Sequence, residues 1–213
     1  MESLEGGCVI VANGRFPSAE LPLRLLKEAK TIIACDGAVK TLYEKGIHPD
    51  AIVGDLDSIP AGLRERYADR IHHVEDQEIN DLTKSVRFAH TQGYREVLIL
   101  GATGLREDHT LGNISLLMDY AHLFKRVEML SDYGLFTPIL ETTTFALEPT
   151  DPKELILLAP VTSSTPEITI EWLVFCPCDW YIKRICPILF FMDESENRDL
   201  SVISSTNPAL IAE

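Results

Sequence analysis

The sequence predicts an α/β fold. A doubly wound, mostly parallel sheet domain spans residues 1–140, and a small all-β domain spans residues 141–213. Three observations carry this. Up to about residue 130, short apolar runs alternate with helical patterns, the signature of a doubly wound sheet. Each apolar run in that part opens into a polar loop. After residue 140 the texture changes to short β-like runs between Pro-, Ser- and Thr-rich turns.

Taken in order, the expected strands of the first part are Cys8–Ala12, Thr31–Ala34, Ala51–Val53, Ile71–Val74, Glu96–Leu100 and Arg126–Leu130. Helix patterns lie between them. Ala38–Lys45 stops at Gly46, a C′ residue that tolerates a left-handed backbone. Pro60–Asp69 opens with proline in the first turn, where no N–H is needed. Asp81–Gln92 has Asn80 as N-cap, an apolar face of Leu82, Val86 and Ala89, and Gly93 as its stop. Asp108–Phe124 carries Leu111, Ile114, Leu117, Met118 and Ala121. The β-like runs of the second part are Thr142–Leu147, Glu154–Ala159, Ile168–Val174, Ile188–Met192 and Leu200–Ile203. A unit of about 70 residues is near the low end of independent stability, so it is expected to pack on the first domain or on a partner subunit.

Composition narrows the function classes. Hydrophobic residues make up 46% and charged residues 24% of the 213, enough for a real core. The 19 Lys+Arg against 33 Asp+Glu give a net charge of -14, which disfavours nucleic acid and anionic membranes as partners. Of the five cysteines, Cys8 and Cys35 sit in or beside apolar runs and read as buried thiols. Cys176, Cys178 and Cys186 cluster without a zinc spacing or a nearby histidine. No secretory leader pattern or bilayer-length apolar run is seen, so a reduced, cytoplasmic protein is expected.

The chemistry sits after the strands. In a parallel sheet, the loops following the strands emerge at one edge, where open α/β sheets bind ligands. Here those loops hold Asn13 and Gly14; Asp36 and Gly37; Gly54, Asp55 and Asp57; Asp76, Gln77, Asn80 and Asp81; and Gly101 to His109. Asp55 and Asp57 are two apart in extended chain and point to one side. Held together they repel unless a cation intervenes, and Mg²⁺ is the usual guest where carboxylates and substrate phosphates share ligation. Asp-rich turns occur without metals, and Asp81 also suits a helix start on dipole grounds. Gly101-Ala102-Thr103-Gly104 resembles a phosphate-cradling loop, although it is neither a Walker A loop nor a dinucleotide fingerprint. Lys84 and Arg106 are the cations best placed for phosphate, with ordinary solvated surface charges as the alternative. His109 reads as a capping or packing histidine more readily than as a base.

Four motifs occur in order: Asp36-Gly37-Ala38; Gly54-Asp55-Leu56-Asp57-Ser58; Asp76-Gln77 with Asn80-Asp81-Leu82-Thr83-Lys84; and Gly101-Ala102-Thr103-Gly104-Leu105-Arg106-Glu107-Asp108-His109-Thr110-Leu111-Gly112-Asn113. Together they resemble thiamine pyrophosphokinase in its bacterial form, over roughly residues 8–145. The resemblance implies a Rossmann-like α/β catalytic domain followed by a small, all-β sandwich-like domain, and a homodimer that uses ATP, thiamine and Mg²⁺ and makes thiamine diphosphate and AMP. It implies Asp55, Asp57 and Asp81 as the metal and catalytic acids, with Asp36 close by. It assigns Gln77 to thiamine, and Thr83, Lys84, Gly101, Thr103, Gly104, Arg106, Asp108 and His109 to the nucleotide and substrate region. It also implies a thiamine pocket at the dimer interface, closed by the β domain. The stretch Arg184–Ser195 departs from the family's pattern there, with Asp193 where Asn is expected.

Two other classes compete. A haloacid-dehalogenase-type phosphatase also sets Asp-x-Asp after a strand, but its pattern wants Thr where Ile59 stands. A non-catalytic thiamine- or nucleotide-binding protein would not need so many acids.

Overall fold

All six strands expected up to residue 130 form, in a computed structural model that describes residues 6–140 and the segments 143–146, 154–158, 172–175 and 199–202. They are β1 (Cys8–Val11), β2 (Ile32–Cys35), β3 (Ala51–Gly54), β4 (Ile71–His73), β5 (Glu96–Leu100) and β6 (Arg126–Leu130). The helices are α1 (Glu20–Glu28), α2 (Ala38–Glu44), α3 (Ala61–Arg66), α4 (Asp81–Thr91) and α5 (Glu107–Tyr120). Further strands are β7 (Gly134–Pro138), β8 (Thr143–Ala146), β9 (Glu154–Leu158), β10 (Trp172–Phe175) and β11 (Asp199–Val202).

One sheet runs in the order β10-β9-β7-β6-β5-β1-β2-β3-β4. Every neighbouring pair from β6 to β4 is parallel, while β6–β7 and β9–β10 are antiparallel. The chain builds outward from β1 to β4, then returns to β5 on the other side of β1. That reversal makes a switch point between β1 and β5, at whose carboxyl edge a crevice opens. The central strands are buried on both faces, as continuous apolar runs in a parallel sheet require. Strand alternation divides the core in two. Cys8 and Ile10 face α4 and α5 with Leu82, Val86 and Leu117, whereas Val9 and Val11 face α1 and α2 with Leu26, Val39 and Leu42.

Helix ends follow the expected chemistry. The Asn80 side chain accepts from the Thr83 N–H at 2.8 Å, Gly46 takes φ 71° and Gly93 φ 81°. Pro60 stands one residue before α3 rather than inside it. Two elements are not anticipated by the pattern. α1 contains Pro22, which sits third in the helix, where its missing N–H has no intrahelical acceptor to lose. β7 is a short strand ending in Pro138, and it folds back on β6 through a Ser131–Gly134 turn closed at 3.0 Å.

Cys8 and Cys35 are buried free thiols, and burial pushes both up to about 12. The described residues beyond 140 are all strand. β9 pairs parallel with β7, Gly134 opposite Glu154 through Pro138 opposite Leu158, while β8 and β11 pair antiparallel in a separate sheet. Expected strand Ile188–Met192, the three late cysteines and Asp193 lie outside the described residues. No helix among the described residues is long and apolar enough to cross a membrane.

Candidate active site

The acidic loop is built around two strained residues. Among the described residues, only Asp36 (φ 37°) and Leu56 (φ 70°) are non-glycine with positive φ. Both lie at the carboxyl edge, after β2 and β3. Such conformations cost on the order of 1–3 kcal/mol each and persist where surrounding bonds impose them. Here Arg64 imposes Leu56, donating from Nε to the Ile59 carbonyl at 3.0 Å and from Nη2 to the Leu56 carbonyl. Gly54 lets the loop close over Asp36, because a Cβ there would lie 2.6 Å from the Asp36 Cβ.

These constraints bring three carboxylates together. Asp36, Asp55 and Asp57 each place one oxygen within 4.8 Å of the others. Asp36 is 2% exposed, and its Oδ1 is buried with no hydrogen-bond partner. Its Oδ2 accepts from the Ser58 N–H at 3.3 Å. Burial raises its pKa above the ordinary carboxyl value against the Ser58 bonds, and the charges of Asp81 and Asp55 add to the rise. Asp55 goes the other way. The Asp57 N–H holds it below the usual range, and against its burial the Gln77 amide (Nε2 to Oδ2, 3.1 Å) and Lys84 assist. Ser58 Oγ donates to Asp57 Oδ1 at 2.8 Å. An orphaned buried oxygen beside two clustered carboxylates is a donor set that suits a hard divalent cation.

Lys84 organises the neighbouring acids. Its side chain is 2% exposed, and Nζ lies 2.9 Å from Asp81 Oδ1 and 3.6 Å from Asp55 Oδ2. Burial opposes its charge, but the two carboxylates outweigh that and raise its pKa. Asp81 thus stands on the ammonium, outside the set of three. Thr83 turns inward, its hydroxyl 2.6 Å from the Tyr120 hydroxyl, which burial pushes up to about 12.

Across the switch point lies the glycine loop. Gly101 (φ 67°) and Gly104 (φ 90°) take left-handed conformations. The Gly14 N–H donates to the Gly101 carbonyl at 2.7 Å, and the Arg15 N–H to the Thr103 carbonyl at 2.9 Å. No side chain fits at Gly14, where a Cβ would lie 2.4 Å from the Gly101 oxygen. Beside this loop a cleft of about 270 Å³ is lined by Arg15, Thr103, Gly104, Asp132, Tyr133 and Phe136. At the start of α5, Arg106 and Asp108 pair in the open, Nε to Oδ1 at 3.1 Å. Each holds the other charged, Arg106 raised and Asp108 lowered. His109 is exposed on the same turn.

Of the residues singled out in the sequence, Asp36, Asp55, Asp57, Gln77, Asp81 and Lys84 therefore form one bonded group. Gly101, Thr103 and Gly104 form the loop opposite, with Arg106, Asp108 and His109 at its exposed end. Arg15, Ser58, Arg64, Asp132 and Tyr133 were not singled out for the site. Arg64 had a local signal, an arginine one turn into the helix after the acidic loop; Asp132 and Tyr133 had none, since only the fold brings them to the cleft.

Residues 23–129 match the family model described as thiamin pyrophosphokinase, catalytic domain. Thiamine pyrophosphokinase 1 of Oryza sativa subsp. japonica is 32% identical over 149 residues, covering 58% of this chain and 55% of that protein. The chain spans about half the length of the curated relatives it matches. Among solved structures, one described as a probable thiamine pyrophosphokinase from Staphylococcus saprophyticus subsp. saprophyticus is 26% identical, with TM-score 0.53, covering 76% of this chain and 87% of that one. The thiamine pyrophosphokinase from Bacillus subtilis shares the fold at 24% identity and TM-score 0.55, covering 73% and 74%.

Proposed function

We propose that this chain, which belongs to the thiamin pyrophosphokinase family by its catalytic domain, transfers the diphosphoryl group of ATP to the hydroxyl of thiamine, giving thiamine diphosphate and AMP. The observation that carries this reading is the carboxylate set Asp36, Asp55 and Asp57, with its unpartnered buried oxygen, at the same sheet edge as the glycine loop. Phosphoryl-type transfer depends on positioning and charge neutralisation more than on covalent chemistry. Both halves of this edge serve those needs.

Asp36, Asp55 and Asp57 would hold Mg²⁺, with Asp81 adjoining through Lys84. The ion supplies neutralisation of charge on the polyphosphate oxygens. Lys84 keeps Asp55 ionised and holds Asp81 in place, and Gln77, which donates to Asp55, is the residue that would contact thiamine. The backbone of Gly101–Gly104 receives phosphate oxygens, and Arg106, steered by Asp108, adds positive charge at the exposed end, with His109 beside it. The cleft lined by Arg15, Tyr133 and Phe136 suits the nucleoside end of ATP, since a flat ring stacks well on aromatic faces.

The rest of the reading rests on the family. We place the protein in the cytoplasm as a homodimer, with residues 141–213 as a second domain that closes the thiamine pocket. The test is direct. Incubation with ATP, Mg²⁺ and thiamine should yield AMP and thiamine diphosphate in equal amounts. Free phosphate without AMP would point to a phosphatase, and binding without product to a binding protein; either result removes the proposal.

A further inference from the structure

The two halves of the site are joined by one side chain outside both. Asn113 lies on α5, is 9% exposed, and uses both ends of its amide. Its Nδ2 donates to the Ala102 carbonyl at 2.8 Å, and its Oδ1 accepts from Asn80 Nδ2 at 3.3 Å. Asn80 in turn caps α4 by accepting from the Thr83 N–H. A hydrogen-bonded path therefore runs from the helix that carries Asp81 and Lys84 to the middle of the glycine loop.

The Ala102 bond completes a pattern in that loop. The carbonyls of Gly101, Ala102 and Thr103 are each taken, by Gly14 N–H, Asn113 Nδ2 and Arg15 N–H respectively. In a trans peptide the N–H lies opposite the C=O. Fixing the Ala102 oxygen on Asn113 thus aims the Thr103 N–H away from Asn113. Without that bond the peptide between two left-handed glycines is free to turn and present an oxygen instead. An oxygen facing a polyphosphate repels it, whereas an N–H attracts it.

We infer that Asn113 is a positioning residue. It locks the Ala102–Thr103 peptide with its N–H towards the polyphosphate, and through Asn80 it sets that peptide's distance from the carboxylates on the other side. The inference rests on the diphosphokinase reading for its catalytic consequence, but the peptide lock stands independently of it.

The test uses the full chain and four variants. Asn113→Ala removes both bonds. Asn113→Asp keeps the shape but replaces the donor with an oxygen. Asn80→Ser keeps the cap yet cannot reach Asn113. Tyr120→Phe is the structural control, since it removes the other polar link between α4 and α5, the Thr83–Tyr120 bond. One lost bond of this kind amounts to roughly three- to tenfold in an equilibrium. Asn113→Ala should raise KM for ATP by about that factor and lower kcat, leaving KM for thiamine unchanged. Asn113→Asp should do more and Asn80→Ser less, while Tyr120→Phe lowers Tm without moving KM for ATP. Hydrogen exchange over residues 101–105 should quicken in both Asn113 variants and not in Tyr120→Phe. An Asn113→Ala protein that changes only in Tm, as Tyr120→Phe does, overturns the inference. If the unaltered protein makes no AMP, the diphosphokinase reading fails and the exchange rates decide the lock alone: faster exchange supports it, unchanged exchange overturns it. Should Asn113→Ala not fold, Asn80→Ser decides, and a normal KM for ATP with normal exchange in that variant overturns the inference.

Discussion

Asp36 and Asp132 occupy the same edge of the same sheet, one after β2 and the other after β6, yet they are treated in opposite ways. Asp132 is satisfied. It accepts from the Ser18 N–H at 2.8 Å, the Ala19 N–H at 2.9 Å and the Ser18 hydroxyl at 2.5 Å, binding the start of α1 to β6. Those bonds outweigh its burial and hold its carboxyl below the ordinary range. Asp36 is strained at φ 37°, buried, and left with one oxygen unpartnered, so its carboxyl is held high. The first arrangement stabilises the chain. The second costs stability and leaves an oxygen free to meet a cation. At one sheet edge, the state of hydrogen-bond satisfaction separates a structural aspartate from the one proposed to hold a cation.

The largest effect should come from the acids beside Asp36. Asp55→Asn or Asp57→Asn should cut turnover on the order of 10²- to 10³-fold while the fold persists, read as AMP formed at saturating Mg²⁺. A purified variant of near-normal activity would break the contrast at its functional end. Next comes Lys84→Met, which strands Asp55 and Asp81. The expected loss is about 2 kcal/mol, below the figure for a fully buried pair because Asp81 is partly exposed. Added Mg²⁺ should recover part of the lost Tm, since a cation that binds only the folded chain stabilises it. A deficit that Mg²⁺ leaves untouched would place the ammonium in a structural role only.

How much of this could be read from the chain depends on the range of each interaction. Strand–helix alternation and the period-two core are local, so the six strands and the sheet edge were legible. The Asp-x-Asp pair and the glycine loop are local too. What was not legible is long-range. The left-handed backbone of Asp36 is fixed by Gly54 and Ser58 from another strand, the Asp132 clamp joins residues 114 apart, and the Asn80–Asn113 contact crosses two helices. Lys84 shows the same limit. Its place beside Asp81 at i, i+3 is visible in sequence, but its burial between Asp81 and Asp55 is not. α1 escaped for a local reason, because Pro22 reads as a breaker until the helix start is known to lie two residues before it.

The sharpest comparison of the two aspartates is made by neutralising each and following stability with pH. Asp36→Asn removes a charge that burial opposes and should raise Tm at neutral pH by a few degrees, roughly 1 kcal/mol in a chain of this size, while lowering Mg²⁺-dependent activity. Asp132→Asn removes a hydrogen-bonded charge and should lower Tm by a similar or smaller amount. The signs follow from linkage. A carboxyl raised on folding is penalised only while ionised, so the gain in Asp36→Asn is full above the raised value and disappears below the unfolded value of about 3.9. A carboxyl lowered on folding contributes fully above about 3.9 and loses that contribution as pH falls through its depressed folded value, so the deficit in Asp132→Asn also closes in acid. Measured against the unaltered protein from pH 7 downward, the two variants should start on opposite sides and converge. Two curves on the same side at pH 7 would mean that satisfaction of the carboxylate does not divide the two sites, and Asp36 would then be as structural as Asp132.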